Sequence, residues 1–415
     1  MNWRVASAGL PIRRNTALLA AAMAVNSAVL QLVAAVSSIT FVLVTGVEGL
    51  LGLGPAIYLA ASGVAALPGG KLMDRVGRIP VIAGGFVLVS IGCVVTALAT
   101  RTDSVVAVLL GLALIGAGSG IALLIRTAAG DMYPPSRRAR GIAWVLFGAV
   151  FGAILGPAVF GPLFAGRELE ADALTVPWLA AAGFALVSLA IVLNVRPDTK
   201  VIAEQLGSTG QPSGPAAPLS ELVRRPGVPT AMAAALASFA VMVSVMNLAG
   251  YVVVDHHHHE QQDVFPIIGA HVLGMFALVL VVGAIIDRVG RTPSLASGLV
   301  LMGASCAGML WGESVVATAI LLFGLGLGWN ISFVAATALL ADSTAPAERG
   351  KLLGFNDQLS ALLGAVLALV GGIALDVLGV AALALGATVI AVAPILWILR
   401  RRGAPTPTPA QASSP

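Results

Sequence analysis

Long apolar runs recur along almost the whole of this 415-residue chain. Hydrophobic residues make up 58% of it and charged residues only 10%, whereas ordinary soluble domains carry about 25% charged residues. So little polar surface cannot cover so large an apolar core in water, so the chain is expected to lie in a lipid bilayer. Because a helix needs roughly 20 apolar residues to cross the hydrocarbon core, the sequence predicts an all-α membrane protein with twelve transmembrane helices.

The apolar windows fall into two sets of six, separated by one polar stretch. The predicted spans are 16–46, 52–72, 80–100, 105–128, 141–165 and 176–195, then 230–254, 264–286, 293–311, 315–341, 351–373 and 377–399. The predicted organisation is an N-terminal six-helix half at 1–195, a cytoplasmic linker at 196–229, a C-terminal half at 230–399 and a disordered cytoplasmic tail at 400–415. The composition of the polar stretch suits a flexible linker.

Positive charge is concentrated on one side of the predicted bundle. All of the 23 Lys and Arg residues except Arg101, Arg126 and Arg167 fall in the N-terminal segment, the linker, the tail or the 2–3, 4–5, 8–9 and 10–11 turns. The positive-inside rule places these segments in the cytoplasm. The sequence therefore predicts a multi-pass protein of the cell (inner) membrane with both termini cytoplasmic.

Two motifs occur twice, at a shift of about half the chain. The segment 70–80 recurs at 283–293 with the pattern Gly-x-x-x-Asp-Arg-x-Gly-Arg. The second motif has its members at Asp131, Pro135 and Arg138, and again at Asp342, Pro346 and Arg349. All four copies fall in turns on the basic side, which indicates a parallel duplication of a six-helix unit. Transporters built this way hold their substrate between the halves, near the bilayer midplane.

Both motifs resemble the signature loops of the major facilitator superfamily, and the resemblance extends over essentially the whole chain. It implies a secondary transporter whose two pseudo-symmetric halves alternate access around a central cavity. It also implies a gating motif that closes the cytoplasmic side in one conformation. The residues that match this motif are Gly70, Asp74, Arg75, Gly77, Arg78, Gly283, Asp287, Arg288, Gly290 and Arg291. Alternatively, the arginines only set the topology. Asp74 can lie near a helix N-terminus, where the dipole favours an anion.

Methionine and histidine are paired at helical spacing in the seventh and eighth spans. Met242 and Met246 are four residues apart and share one helix face, as do His271 and Met275. Thioether and imidazole groups together suit a soft ion, above all Cu(I). The two pairs are therefore a candidate substrate site for a metal ion.

These pairs resemble the Met-x-x-x-Met and His-x-x-x-Met patterns of the CcoA-like bacterial copper transporters. The resemblance implies that Met242, Met246, His271 and Met275 bind copper that enters the cytoplasm. Four further histidines stand in the predicted outer loop, as His256, His257, His258 and His259. They either collect metal or form a solvated loop.

Other features favour a different cargo. The fifth span carries small residues every four positions from Gly148 and ends in Gly161-Pro162. It looks like the Gly-Pro motif of superfamily exporters driven by proton antiport, or it is a packing stripe. Methionine also fills gaps in apolar helices, and His271 can respond to protons. The alternative function is therefore proton-coupled export of small organic molecules.

Three charged residues stand in or near spans where charge is costly. Arg126 needs a carboxylate or carbonyl partner, and Asp131 is the nearest candidate. Asp357 can carry a coupling proton. Alternatively, it caps the helix or pairs with Arg75 or Arg78 across the interface between the halves. These residues are candidate coupling or interface charges.

The sequence contains no pattern that points to catalysis. His271 has no convincing nucleophile partner, and no Gly-x-x-x-x-Gly-Lys-Ser/Thr loop is present. We therefore expect no enzyme activity, no cofactor and no nucleic-acid partner. The expected partners are the lipid bilayer and a small solute or metal-ion cargo, handled by a monomer. A sensor built on a transporter fold is a second alternative, because a fold does not fix a function. A sensor would bind its ligand and move none, so a measurement of transport flux distinguishes the two.

Overall fold

The described part of the chain consists of residues 9–46, 53–164, 171–207, 217–251, 264–312 and 314–402 in a computed structural model. The first half contains α1 (Ile12–Thr45), α2 (Leu53–Val76), α3 (Arg78–Thr102), α4 (Val105–Leu123), α5 (Ile125–Asp131), α6 (Arg138–Phe164) and α7 (Thr175–Leu193). The connecting segment contains α8 (Thr199–Gly207) and α9 (Leu219–Leu222). The second half contains α10 (Val228–Tyr251), α11 (Val264–Phe276), α12 (Val279–Val289), α13 (Arg291–Gly308), α14 (Val315–Asp342) and α15 (Pro346–Arg402).

Each of the twelve predicted spans corresponds to a helix or helix pair. The fourth span consists of α4 and α5, which meet at Leu124, and the eighth consists of α11 and α12. Helix α15 is interrupted at Gly379, where φ is 78° and ψ is −177°, and its two segments are the eleventh and twelfth spans. Nine described segments are long and apolar enough to cross a membrane. Helices α6 and α13 and the first segment of α15 occupy the other three positions, so the all-α fold is confirmed.

The two halves meet along two helix pairs. Helix α2 packs against α15, and α6 packs against α12. Within the halves, α1 packs against α6, α3 against α4, α10 against α15, and α13 against α14. One pair of elements therefore joins the halves on each side of the bundle.

Small residues let these pairs approach closely. A Cβ atom built on Gly70 of α2 would overlap the carbonyl oxygen of Gly350 on α15. A Cβ on Gly283, the equivalent of Gly70 in the second half, would lie 2.6 Å from the Cβ of Ala143 and 3.0 Å from the carbonyl oxygen of Ala139. Both contacts therefore bring the backbones of opposite halves together at the same end of the bundle.

The connecting segment is attached to both halves in its described part, whereas the composition suggests a flexible linker. A carboxylate oxygen of Asp198 accepts a hydrogen bond from the backbone N–H of Ile79 at 2.9 Å. The Nζ of Lys200 donates to the carbonyl oxygen of Asp74 at 2.6 Å. The guanidinium of Arg225 donates to both carboxylate oxygens of Glu348, from Nη1 to Oε2 at 2.6 Å and from Nη2 to Oε1 at 3.1 Å. These contacts hold the described parts of the connecting segment against the two halves, although the composition of this segment is typical of a flexible linker.

Replacing Gly70 with alanine is expected to force α2 and α15 apart. The added methyl meets backbone rather than a mobile side chain, so it cannot be accommodated by a rotamer change, and overpacking of this kind costs about 1–3 kcal/mol. We expect a lower unfolding temperature of the purified protein in detergent. Gly84→Ala is the matched control, because nothing lies within 4 Å of a Cβ at that helical position. Equal unfolding temperatures for the two variants would contradict the close contact.

Candidate functional site

The two copies of the 2–3 turn motif each place an aspartate against a helix of the other half. Asp74 accepts hydrogen bonds from the backbone N–H groups of Gly350 and Lys351, at 3.0 and 2.6 Å, in the first turns of α15. Asp287 accepts one from the N–H of Arg140, at 3.1 Å, in the first turn of α6. Each carboxylate therefore lies at a helix N-terminus, where the dipole favours it.

The glycine of each motif makes the turn possible. Gly77 has a φ of 106° and Gly290 a φ of 101°, in a region that side chains with a Cβ rarely adopt. The next residue of each motif, Arg78 and Arg291, begins the following helix and points its guanidinium back toward the aspartate. The shape of the turn thus explains the spacing of aspartate, glycine and arginine in each copy of the motif.

Arg78 and Arg291 make equivalent sets of bonds. Arg78 donates to Asp74 at 2.7 Å, to Asp131 at 2.7 Å and to the carbonyl oxygen of Pro346. Arg291 donates to Asp287 at 2.7 Å, to Asp342 at 3.1 Å and to the carbonyl oxygen of Pro135. In each case the carbonyl belongs to the opposite half.

The second motif completes the symmetry. Arg349 donates to Asp131 at 2.7 Å, and Arg138 donates to Asp342, so each aspartate also receives an arginine from the other half. We call these charges the gate network; its members are Asp74, Arg78, Asp131, Arg138, Asp287, Arg291, Asp342 and Arg349. The network joins the two halves twice, in two pseudo-symmetric copies.

Two residues of the predicted gating motif take no part in the described network. Arg75 and Arg288 occupy equivalent positions and are both exposed. Gly70 and Gly283 contribute by close packing instead of by charge. Arg75 and Arg288 thus fit a topology-setting role better than a gating role.

Arg126 has both a carboxylate and a carbonyl partner, as expected, but the carboxylate is not that of Asp131. Arg126 forms a salt bridge with Asp357 of the other half, and Asp131 is held by Arg78 and Arg349. Residues five apart on a helical segment lie about 140° apart around its axis, so Arg126 and Asp131 face different neighbours. Asp357 does pair across the interface, as one of the alternatives expected, but with neither Arg75 nor Arg78.

Arg126 is held on all sides. Its Nε donates to the hydroxyl of Thr337 at 3.2 Å and its Nη1 to the carbonyl oxygen of Leu123 at 3.3 Å. Its Nη2 donates to Asp357, and its Cζ lies 4.6 Å from the centroid of the Phe333 ring. The side chain is fully buried. Such an arrangement keeps the guanidinium in place independently of Asp357.

This pair has no counterpart in the duplication. Applying the 211-residue shift of the second motif, the equivalent of Arg126 is Thr337, and that of Asp357 is Leu146. The gate network is thus repeated, whereas the Arg126–Asp357 pair occurs once.

A cavity lies beside the pair, between the halves. Its polar wall consists of Ser62, Asn356, Asp357 and Ser360. Its apolar wall includes Ala66, Leu123, Ala235, Phe239, Phe333 and Ala361. The cavity volume is about 30 Å³, so the walls are close together in this conformation.

Three residues in the polar wall have an unpartnered atom. Asn356 donates its amide to Asp357 Oδ1 at 3.4 Å, which leaves Asn356 Oδ1 free. Asp357 Oδ2 and Ser360 Oγ are also buried with no hydrogen-bond partner among the described residues. Buried polar groups are nearly always satisfied, so this row of atoms marks a place for a ligand or solvent.

The methionine and histidine pairs lie on different helices of the second half. Met242 is buried and Met246 half-buried on α10, which packs against α14 and α15. His271 is buried and Met275 half-buried on α11, which packs against α14 and α6. Nδ1 of His271 lies 2.9 Å from the carbonyl oxygen of Leu322, so it carries the proton, and Nε2 is buried without a described partner.

The remaining metal candidates cannot be placed. His256, His257, His258 and His259 lie outside the described residues. Within the part of the chain that is described, no three His, Cys, Asp or Glu side chains come together as a cation site requires. The hypothesis of an outer metal-collecting loop stays a prediction.

A further set of contacts joins the connecting segment to α15 at the end of the bundle that carries the gate network. Glu348, in the first turn of α15, receives hydrogen bonds from Arg225 and from the backbone N–H groups of Ala217 and Ala345. Burial acts to raise the pKa of Glu348, but these hydrogen bonds outweigh it and hold the pKa below its usual value. The carboxylate thus stays charged at neutral pH and keeps the connecting segment against α15.

The fold, the duplicated network and the cavity between the halves are those of a membrane transporter built from two repeated halves. The family model of the Major Facilitator Superfamily matches residues 16–269 and 259–415. The chain therefore belongs to the major facilitator superfamily.

Similar proteins are found in bacteria and in humans. The MFS-type transporter YdeG of Bacillus subtilis (strain 168) is 31% identical over 77% of this chain and 76% of its own length. The riboflavin transporter RfnT of Brucella anthropi is 29% identical over 83% and 85%. The crystal structure of the human organic anion transporter MFSD10 superposes with a TM-score of 0.73 at 18% identity, over 94% of this chain and 99% of that one. This last likeness concerns the fold alone.

Asp131→Asn is expected to open the end of the bundle that the gate network closes. It removes the negative charge that Arg78 and Arg349 share and replaces one of the two acceptor oxygens with an NH2 donor. Losing one partner of a buried ion pair costs about 3–5 kcal/mol. The measurement is the rate at which a membrane-impermeant thiol reagent labels a cysteine placed at Ser360, in the cavity wall. We expect the labelling rate to rise at least about tenfold when the reagent is added on the side of the membrane where the gate network lies.

The two native cysteines and one matched variant provide the controls for this labelling experiment. Cys93 and Cys306 are both fully buried and should label slowly. Asp103→Asn is the matched control, because Asp103 is exposed and its left-handed conformation, with φ of 46°, suits asparagine. Unchanged labelling in Asp131→Asn would show that the gate network does not hold this end closed.

Proposed function

We propose that this protein is a proton-coupled transporter of a small organic solute and that Asp357 carries the coupling proton. The observation that carries the proposal is the buried Arg126–Asp357 pair, which lies on the cavity and links the two halves. An ionisable side chain inside a membrane protein is a candidate for proton transfer. Protonating Asp357 removes one of the charges that hold the halves together.

The gate network supplies the second part of the mechanism. In the present conformation it closes one end of the cavity, which the positive-inside rule places on the cytoplasmic side. Gly70, Asp74, Gly77 and Arg78, with their repeat, then act as the gate. Alternating access requires these inter-half bonds to break together while the opposite end closes, as in other transporters with two repeated halves.

The side chains that line the cavity suit an organic solute better than a metal ion. Aromatic and aliphatic side chains form most of its wall, with a few polar groups on one side, as is typical of small-molecule sites. The riboflavin transporter RfnT, which is 29% identical over most of its length, handles a cargo of this class. These two observations support transport of an organic solute.

The Asp357→Asn variant is expected to lose proton-coupled transport. Proteoliposomes that contain a trapped pH-sensitive dye are challenged with riboflavin, xylose and 2-oxoglutarate in turn, as probes of three solute classes. We expect one of these to change the internal pH with wild-type protein and none to do so with Asp357→Asn. Asp172→Asn, at an exposed site outside the cavity, is the control. Full proton movement in Asp357→Asn would reduce Asp357 to an interface charge, and solute binding without flux would indicate a sensor.

Copper uptake is the second candidate, and one contact favours it. His271 donates its Nδ1 proton to the carbonyl oxygen of Leu322 and keeps Nε2 free. Metal-binding histidines are usually held in this way by their other nitrogen. Met242, Met246 and Met275 would provide thioether ligands, provided that α10 and α11 bring them to His271 in some conformation.

The copper hypothesis predicts a loss of copper accumulation in the Met246→Ile, His271→Ala double variant. Cellular copper is measured by elemental analysis in cells that express equal amounts of each protein. Met232→Ile is the matched control, since Met232 is a buried methionine of the same helix outside the candidate pairs. Equal copper in wild type and double variant would exclude this cargo.

A further inference from the structure

The unpartnered atoms of the cavity restrict the chemistry of its solute. Asn356, Asp357 and Ser360 lie within one turn of α15, and each is at least nine-tenths buried. Their free atoms are an amide oxygen, a carboxylate oxygen and a hydroxyl oxygen. The first two can only accept hydrogen bonds while Asp357 is charged. The atom that meets them must therefore be a donor, and we call these three residues the acceptor row.

The orientation of the Asn356 amide is fixed by its neighbour. Its Nδ2 group faces Asp357 Oδ1 at 3.4 Å. A reversed amide would bring two oxygens together, which is unfavourable, so Oδ1 is the free atom. The packing around Asn356 therefore sets which atom of its amide is free, and that atom is the acceptor Oδ1.

The charge of the cavity is balanced. Among the described side chains that line the cavity or contact the pair, only Arg126 and Asp357 are charged; α2 contributes Ser62, α10 Phe239, and α14 Phe333 and Thr337. Since Arg126 neutralises Asp357, a solute with a net charge would find no counter-ion there. An uncharged solute is favoured.

The apolar wall of the cavity favours an aromatic ring. Phe239 and Phe333 belong to this wall, and Phe333 is fixed by stacking on Trp329 with ring centroids 4.6 Å apart. Aromatic side chains suit a flat ring that packs against their faces or edges.

We propose that the solute is an uncharged, flat heteroaromatic ring that donates hydrogen bonds from one edge to Asn356, Asp357 and Ser360. This inference rests on the proposed function and specifies its substrate class. Imide and amide N–H groups on such a ring would supply the donors, and its apolar part would lie against Phe239 and Phe333.

The same contact couples the solute to the proton. A solute N–H and a proton both bind the free carboxylate oxygen of Asp357, so each excludes the other. Competition for one atom makes the two ligands cross the membrane in opposite directions, because only one can occupy the site in each conformation. Solute affinity is therefore highest with Asp357 charged and falls as the pH is lowered and the carboxylate takes up its proton.

The donor requirement is tested with two ligands that differ only at the donors. Binding of lumichrome, a neutral tricyclic ring with two N–H groups, is compared by equilibrium dialysis with that of its 1,3-dimethyl derivative on the purified full-length protein. We expect lumichrome to bind and methylation to weaken it at least tenfold. We also expect lumichrome binding to weaken at acidic pH in wild type and to lose this dependence in Asp357→Asn.

Protein variants test the location of the contact. Losing one hydrogen bond in Asn356→Leu or Ser360→Ala is expected to raise the dissociation constant roughly tenfold. Ser244→Ala is the matched control, because Ser244 is also a buried serine with an unpartnered hydroxyl but lines a different cavity. Equal binding of the two ligands, or equal effects of Ser360→Ala and Ser244→Ala, would overturn the proposal.

Failure of this inference is distinguishable from failure of the proposed function. If xylose or 2-oxoglutarate moves protons through wild-type proteoliposomes while lumichrome and riboflavin neither bind nor move, the substrate class is wrong and proton-coupled transport stands. If no probe moves protons and copper content follows the His271 variant, proton-coupled organic transport itself is wrong.

Discussion

Charge that is buried away from water must be balanced by charge or hydrogen bonds, and at the gate network of this protein part of that balance comes from the opposite half. Arg78 needs Asp131 beside it, and Asp131 in turn binds Arg349 of the second half. The helix N-termini that Asp74 and Asp287 bind also belong to the opposite half. Because these groups satisfy one another, the closed end forms as a unit. Breaking one contact exposes several charges, which suits a gate with two states.

The duplication separates the gate network from the cavity. Every charged member of the gate network has an equivalent in the other half, and the carbonyl oxygens of Pro135 and Pro346, which accept from Arg291 and Arg78, are equivalent as well. The cavity does not follow this rule, since Arg126 and Asp357 correspond to Thr337 and Leu146. The function proposed above uses this difference: the symmetric network would open and close the bundle, and the asymmetric pair would bind the solute and the proton.

Local patterns predicted the turns well and the long-range partners poorly. The spacing of glycine, aspartate and arginine indicated the gating turn, because these residues act within a few positions of one another. The pairing of Arg126 with Asp131 was wrong since their spacing places them on different helix faces, while the true partner, Asp357, lies 231 residues away. The sequence singled out Asp357 alone, and the unpartnered atoms of Asn356, Asp357 and Ser360 became visible only when the neighbouring side chains were in place.

The sequence by itself determined the membrane class, the twelve spans, the duplication and the family, because hydropathy and repeated motifs are properties of the chain order. It also determined which residues form the turns. Only the tertiary structure decided which charges meet, which end is closed and which polar atoms face the cavity. Those facts depend on how two halves, separate in sequence, pack against each other, and burial at that interface sets which groups lack a partner.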